Sequence, residues 1–127
     1  MCIRDSNNAD TLNALGYTLA DQTDRYLEAK ELIAKALTFK PDASHILDSM
    51  GWVLYRLNDY PEAIQFLQQA YSSNQEVEIA AHLGEVLWVS GEKVKASEVW
   101  KQAHDKDAEN PVLKATLQRF NIELPIE

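Results

Sequence analysis

The stretch Leu47-Asp48-Ser49-Met50-Gly51-Trp52-Val53-Leu54-Tyr55-Arg56-Leu57 sets a glycine behind an apolar residue and places leucine three positions on. The same setting recurs at Leu15-Gly16-x-x-Leu19 and Leu83-Gly84-x-x-Leu87, so Gly16, Gly51 and Gly84 lie 35 and 33 residues apart. Leu12, Leu47 and Ala80 stand four places before each glycine. Apolar residues at i, i+3 and i+7 form one face of a helix. A second series accompanies the first. Ala29, Ala63 and Ala96 are followed after four residues by Ile33, Leu67 and Trp100, and after seven by Ala36, Ala70 and Ala103. Two helices per unit follow, with glycine in one and alanine in the other where the pair must approach closely. A larger residue at Gly51 or Ala63 would overpack that contact, at about 1–3 kcal/mol.

These positions match the pattern W-x2-L-G-x2-Y, then A-x3-F, then P, over about 34 residues. The chain therefore resembles the tetratricopeptide-repeat (TPR) family over residues 9–109. The first aromatic place is Leu12, Leu47 or Ala80, the tyrosine place is leucine throughout, and the first unit has one extra residue near 22–25. Pro41 closes the first unit, where the others have Gln75 and Ala108. The expected fold is an all-α solenoid of three helix-turn-helix repeats, 9–43, 44–76 and 77–109, plus a capping helix, 110–120, and a tail, 121–127. The helices are expected over 9–22, 27–39, 43–57, 60–73, 77–89, 92–106 and 110–120. Asp59, Pro61 and Glu62 read as a helix start with an N-cap and capping box, Pro41-Asp42 as a break and cap, and Asn110-Pro111 as another start. On the last helix Val112, Leu113, Leu117 and Phe120 form one stripe, with Lys114, Gln118 and Arg119 outside. Terminal repeats need such a polar face. Leu12, Leu15 and Leu19 open the array without a cap.

Of 127 residues, 46% are hydrophobic and 25% charged, enough for one domain with a real core. The net charge of −8, with 20 acidic against 12 basic residues, argues against nucleic-acid binding. A single cysteine, Cys2, excludes an intrachain disulfide, and no apolar run is long enough to span a membrane. Residues 1–8 are polar, aperiodic and without the apolar core of a signal peptide, so they read as a disordered or foreign segment and the chain as a fragment. No phosphate-cradling glycine loop, nucleophile elbow, paired cysteines or His-x-x-x-His is present, and the chain is not expected to be an enzyme or to need a cofactor. His45 and His82 could share a groove, but as ordinary polar residues rather than metal ligands.

In TPR proteins first helices line a concave surface that binds peptides. The resemblance implies ligand-facing positions at Asp10, Asn13, Tyr17 and Asp21 in the first unit. The second gives His45, Asp48, Ser49, Trp52, Tyr55 and Arg56, and the third Glu78, His82, Glu85 and Trp88. Tyr17, Trp52, Tyr55 and Trp88 would supply aromatic anchors, or Tyr55 and Trp88 would pack only between helices. Five acids against Arg56 make the lining mildly acidic. Some TPR chaperone adaptors hold a C-terminal carboxylate with lysine and asparagine. Here Asn13, Asp48, Ala81, Tyr17, Trp52 and Glu85 occupy those places without a lysine. A segment with apolar and basic side chains fits better.

Residues 47–57, with Glu78-Ile79-Ala80-Ala81-His82-Leu83-Gly84-Glu85-Val86-Leu87-Trp88, resemble more particularly the C-terminal repeats of large TPR outer-membrane lipoproteins of gammaproteobacteria. That resemblance implies a periplasmic or outer-membrane-attached adaptor of a carboxyl-terminal processing protease, whose partners are the protease or its substrates. A cytoplasmic protein is the alternative compartment. The alternative function is an architectural spacer, or a module that self-associates weakly through its open N-terminal end.

Overall fold

A computed structural model describes residues 2–122, with side chains described from Ala9 onward. The part of the expected tail at 123–127 lies outside the described residues, as do Met1 and the side chains of 2–8. Seven helices follow in order: α1 (Cys2–Gln22), α2 (Tyr26–Phe39), α3 (Ser44–Arg56), α4 (Tyr60–Ser73), α5 (Val77–Ser90), α6 (Lys93–Lys106) and α7 (Pro111–Arg119). The described residues form no strand. None of these helices is long and apolar enough to cross a membrane.

From α2 onward each helix begins and ends within a residue of its expected span. The first begins at Cys2, not near residue 9. No proline or glycine lies between Cys2 and Gly16, so nothing in the sequence interrupts a helix there.

The glycines act where the spacing put them. A Cβ on Gly16 would stand 2.6 Å from Ile33 Cγ1, and one on Gly51 would stand 2.5 Å from Leu67 Cγ. At Gly84 it would overlap the Trp100 ring, with Cδ1 at 2.5 Å. Each glycine therefore brings the first helix of a pair onto the second, against alanines that are fully buried, such as Ala29, Ala63 and Ala96. Trp100 is enclosed in this contact and donates its Nε1 hydrogen to the Ala81 carbonyl at 3.2 Å.

Three turns share one form. Asn58 and Gly91 have φ of 68° and 104°, and the residue after each donates to the carbonyl five back: Asp59 to Leu54 and Glu92 to Leu87, both at 2.8 Å. Asn121, with φ 57°, repeats it through Ile122 to Leu117 at 2.9 Å. This left-handed closure satisfies carbonyls that a helix end leaves open, and glycine or asparagine bears it best. The N-caps differ from expectation. Asp59 stands at the N-cap of α4 but accepts no capping hydrogen bond, and the N-cap of α3 is Ala43, not Asp42. Asn110 does cap α7, accepting from the Val112 and Leu113 amides at 3.0 and 3.1 Å.

The pairs α1/α2, α3/α4 and α5/α6 stack in sequence. First helices touch across repeats, α1 on α3, α3 on α5 and α5 on α7, whereas the backbones of α2, α4 and α6 do not approach one another within 8 Å. The array therefore closes on its first-helix side, and side chains from α1, α3, α5 and α7 share one concave lining.

Candidate functional site

The α7 helix continues the repeat register. Arg119 stands 34 residues after Glu85, which holds the place of Trp52 and Tyr17 in the earlier units. Of the residues expected outside, Arg119 therefore belongs to the groove, whereas Lys114 pairs with Glu109. A cleft of about 290 Å³ is lined by Tyr17 and Asp21 of α1, Trp52 of α3, His82 of α5, and Pro111, Val112, Ala115, Thr116 and Arg119 of α7. Carrying the ligand-facing places one unit further would have found Val112, Ala115, Thr116 and Arg119; reading α7 as a cap hid them.

A histidine–carboxylate contact and an arginine–carboxylate ion pair form the floor. His82, only 8% exposed, places Nδ1 at 2.9 Å from Asp48 Oδ1. A carboxylate only accepts, so Nδ1 carries the hydrogen. Burial alone would lower the His82 pKa, but Asp48, with Glu85 and Glu78, overrides it and holds the pKa above its usual value. Glu85, 2% exposed, accepts from Arg119 Nη2 at 2.7 Å and Nη1 at 3.2 Å. This is a two-pronged guanidinium–carboxylate contact.

Aromatic rings surround the pair. Trp52 packs its ring 4.6 Å from His82 and 5.2 Å from Tyr55, and Tyr17 stands 6.4 Å from His82. Burial pushes the Tyr17 hydroxyl up to about 12, helped by Asp21, Asp48, Glu78 and Glu85. Burial and the Glu85 carboxylate also push Tyr55 up. Four carboxylates, Asp21, Asp48, Glu78 and Glu85, thus lie in or around the cleft beside Arg119 and His82. Trp52 is 5% exposed and its Nε1 finds no acceptor among the described residues. An unpaired buried donor costs about 1–3 kcal/mol. Asn13 Oδ1 is likewise without a donor.

The expected groove residues divide. Tyr17, Trp52 and His82 meet in the cleft, with Asp48 and Glu85 beneath. Ser49 is buried and donates to the His45 carbonyl at 3.0 Å. Tyr55 and Arg56 line a separate cleft with Tyr26, Asn58 and Tyr60, where the Arg56 guanidinium covers the Tyr26 ring at 5.6 Å. Trp88 stacks on Trp100 and Phe120 at 5.6 and 6.4 Å, under the Lys93 ammonium at 4.9 Å. It serves the α5–α6–α7 contact and is not part of the cleft. His45 lies at an exposed edge, 3.4 Å from Asp10, so the two histidines answer to different carboxylates.

Two family models described as tetratricopeptide repeat match residues 9–43 and 44–78, together more than half of the chain. A TPR repeat-containing protein of Pseudomonas aeruginosa is 55% identical over 82 residues, which are 65% of this chain but 14% of that relative. The chain thus spans about a seventh of that protein's length. Among solved structures, the first TPR domain of Spaghetti (RPAP3) bound to an HSP90 peptide overlays with TM-score 0.77 at 16% identity, covering 91% of this chain and 92% of that one. PcrH in complex with the chaperone-binding region of PopB overlays with TM-score 0.74 at 18% identity, covering 91% and 93%. The chain belongs to the tetratricopeptide-repeat family.

Proposed function

We propose that this chain is a non-catalytic scaffold that holds a segment of another protein in the concave cleft between α1 and α7. The observation that carries this reading is the cleft itself, where four helices from different repeats contribute side chains to one electronegative, aromatic-floored channel. Two solved proteins of similar fold are bound to an HSP90 peptide and to a segment of PopB. The repeats divide at about 43, 76 and 109. The test is partner capture by an Ala115→Arg variant, which fills the cleft from an exposed position on α7. Capture falls while the helical circular-dichroism signal stays. Unchanged capture removes the cleft from the function.

A narrower reading makes the bound partner a periplasmic carboxyl-terminal processing protease or its substrates, with the chain part of an outer-membrane lipoprotein. It is supported by the resemblance of residues 47–57 and 78–88, and by the bacterial origin of the 55% identical relative. Co-purification of such a protease with the complete protein from envelope fractions tests it. Recovery of the complete protein only from cytosol overturns it.

The spacer or self-association reading also has an observation in its favour. Leu15 is 50% exposed, whereas Met50 and Leu83, which hold the same place in later repeats, are 4% and 3% exposed. Light scattering over a concentration series decides it, because a monomer at every concentration excludes pairing through that face.

A further inference from the structure

We propose that the cleft holds one lysine or arginine side chain of the bound segment, at Asp21 and the Tyr17 ring. This deepens the scaffold reading and rests on it. The basic side chains already in the cleft are committed: His82 to Asp48 at 2.9 Å, and Arg119 to Glu85 at 2.7 and 3.2 Å. Asp21, one turn after Tyr17 on α1 and exposed, has no hydrogen-bond or ion-pair partner among the described residues. Glu78 near the same floor is also exposed and without one. Opposite them, α7 presents Val112, Ala115 and Thr116, which bring no charge. Counting the carboxylates beneath and beside the lining, Asp21, Asp48, Glu78 and Glu85 outnumber Arg119 and His82, and a cation entering beside Asp21 meets a free carboxylate and an aromatic face together.

An uncompensated carboxylate alone would be a solvated surface feature. The second observation is Trp52, which lines the same cleft, is 5% exposed, and has an Nε1 hydrogen without an acceptor. A peptide carries both missing groups, a cationic side chain for Asp21 and a backbone carbonyl for the indole, whose nitrogen is closed to solvent here and needs a small shift of the side chains over it to be reached. A free metal ion supplies only the first. The Ala115 and Val112 wall suits a small apolar residue next to the cation.

The experiment is a nuclear magnetic resonance titration of the whole chain with two capped synthetic peptides of equal length. One alternates lysine and leucine, and in the other glutamate replaces lysine. The lysine peptide shifts the Trp52 indole and the Tyr17 and Asp21 amide signals, and it weakens with added salt. Asp21→Asn, an exposed change, weakens it by about ten-fold, an ordinary loss for one charge-assisted contact. Equal or tighter binding of the glutamate peptide in the cleft overturns the cation site and leaves the scaffold reading standing. A lysine peptide that moves no cleft signal, or binds Asp21→Asn equally well, also overturns the cation site. The Ala115→Arg capture experiment judges the scaffold reading separately.

Discussion

Arg119 on α7 reaches back 34 residues to grip the buried Glu85 of α5 with both guanidinium nitrogens, at 2.7 and 3.2 Å. Arg119 is 54% exposed on its side chain, so the pair is half in water and its Coulomb gain is modest. The cost of breaking it falls on Glu85, which would remain as a buried carboxylate. Arg119→Ala is expected to destabilise the fold by about 2 kcal/mol in urea unfolding. Glu85→Gln in that background should recover part of the loss, since a neutral amide is cheaper to bury. An unaffected midpoint in Arg119→Ala would show that α7 is held by Leu113 and Leu117 alone.

His82 makes stability depend on pH. Its pKa is raised in the folded protein, so the folded state binds the proton more tightly than the unfolded state. The stabilisation is complete below the unfolded value of about 6.5 and is lost as pH rises through the higher folded value. The melting temperature should therefore fall as pH rises above about 6.5. His82→Gln should flatten that slope. A slope unchanged in the variant would assign the effect elsewhere.

Tyr17 supplies a spectroscopic check on the electronegative cleft. Its hydroxyl is pushed from 10.0 to about 12, chiefly by burial and then by Asp21. The protonated form is the one favoured in the fold, so stability is retained below pH 10 and erodes as pH climbs toward 12. In an absorbance titration of tyrosinate, Tyr17→Phe should remove a late-titrating component. Removal of an early component instead would contradict the burial.

The three helical glycines should differ under substitution. Alanine favours a helix over glycine by about 1 kcal/mol, which offsets part of any clash. At Gly84 the new methyl would overlap Trp100, a rigid ring that is fully buried and hydrogen-bonded to Ala81. Gly84→Ala should cost a net of about 2 kcal/mol or more. Gly16→Ala meets the Ile33 side chain at 2.6 Å and the Ala29 carbonyl at 3.0 Å, and should cost less. Calorimetric melting of both variants gives the order. A Gly16→Ala loss exceeding that of Gly84→Ala would contradict the packing account.

The repeat frame was legible because it rests on spacing. Gly16, Gly51 and Gly84 with Ala29, Ala63 and Ala96 fix which helices pair and where, and several helix boundaries follow from Pro41, Pro61 and Asn110-Pro111. The site was legible only in part. Register places Tyr17, Trp52 and His82 on one face, but it does not say how far the array curls. Curvature brings α7 opposite α1 and turns Arg119 from a cap residue into a groove residue. Register also cannot tell a ring that faces a ligand from one that fills a seam, and Trp88 fills a seam with Trp100 and Phe120. Asp42 was misread as a cap, since Ala43 holds the N-cap of α3, and Asp59 holds the N-cap of α4 as expected but without the side-chain bond its composition suggests.

The turn at Asn121 has a practical use. The same left-handed step at Asn58 and Gly91 directs the backbone off the inner layer and into α4 and α6. Asn121 and Ile122 stand outside the lining of the cleft, and the Asn121 side chain is exposed. A fluorescent dye or surface tether attached at position 121 should therefore leave the channel between Tyr17 and Arg119 open to its partner.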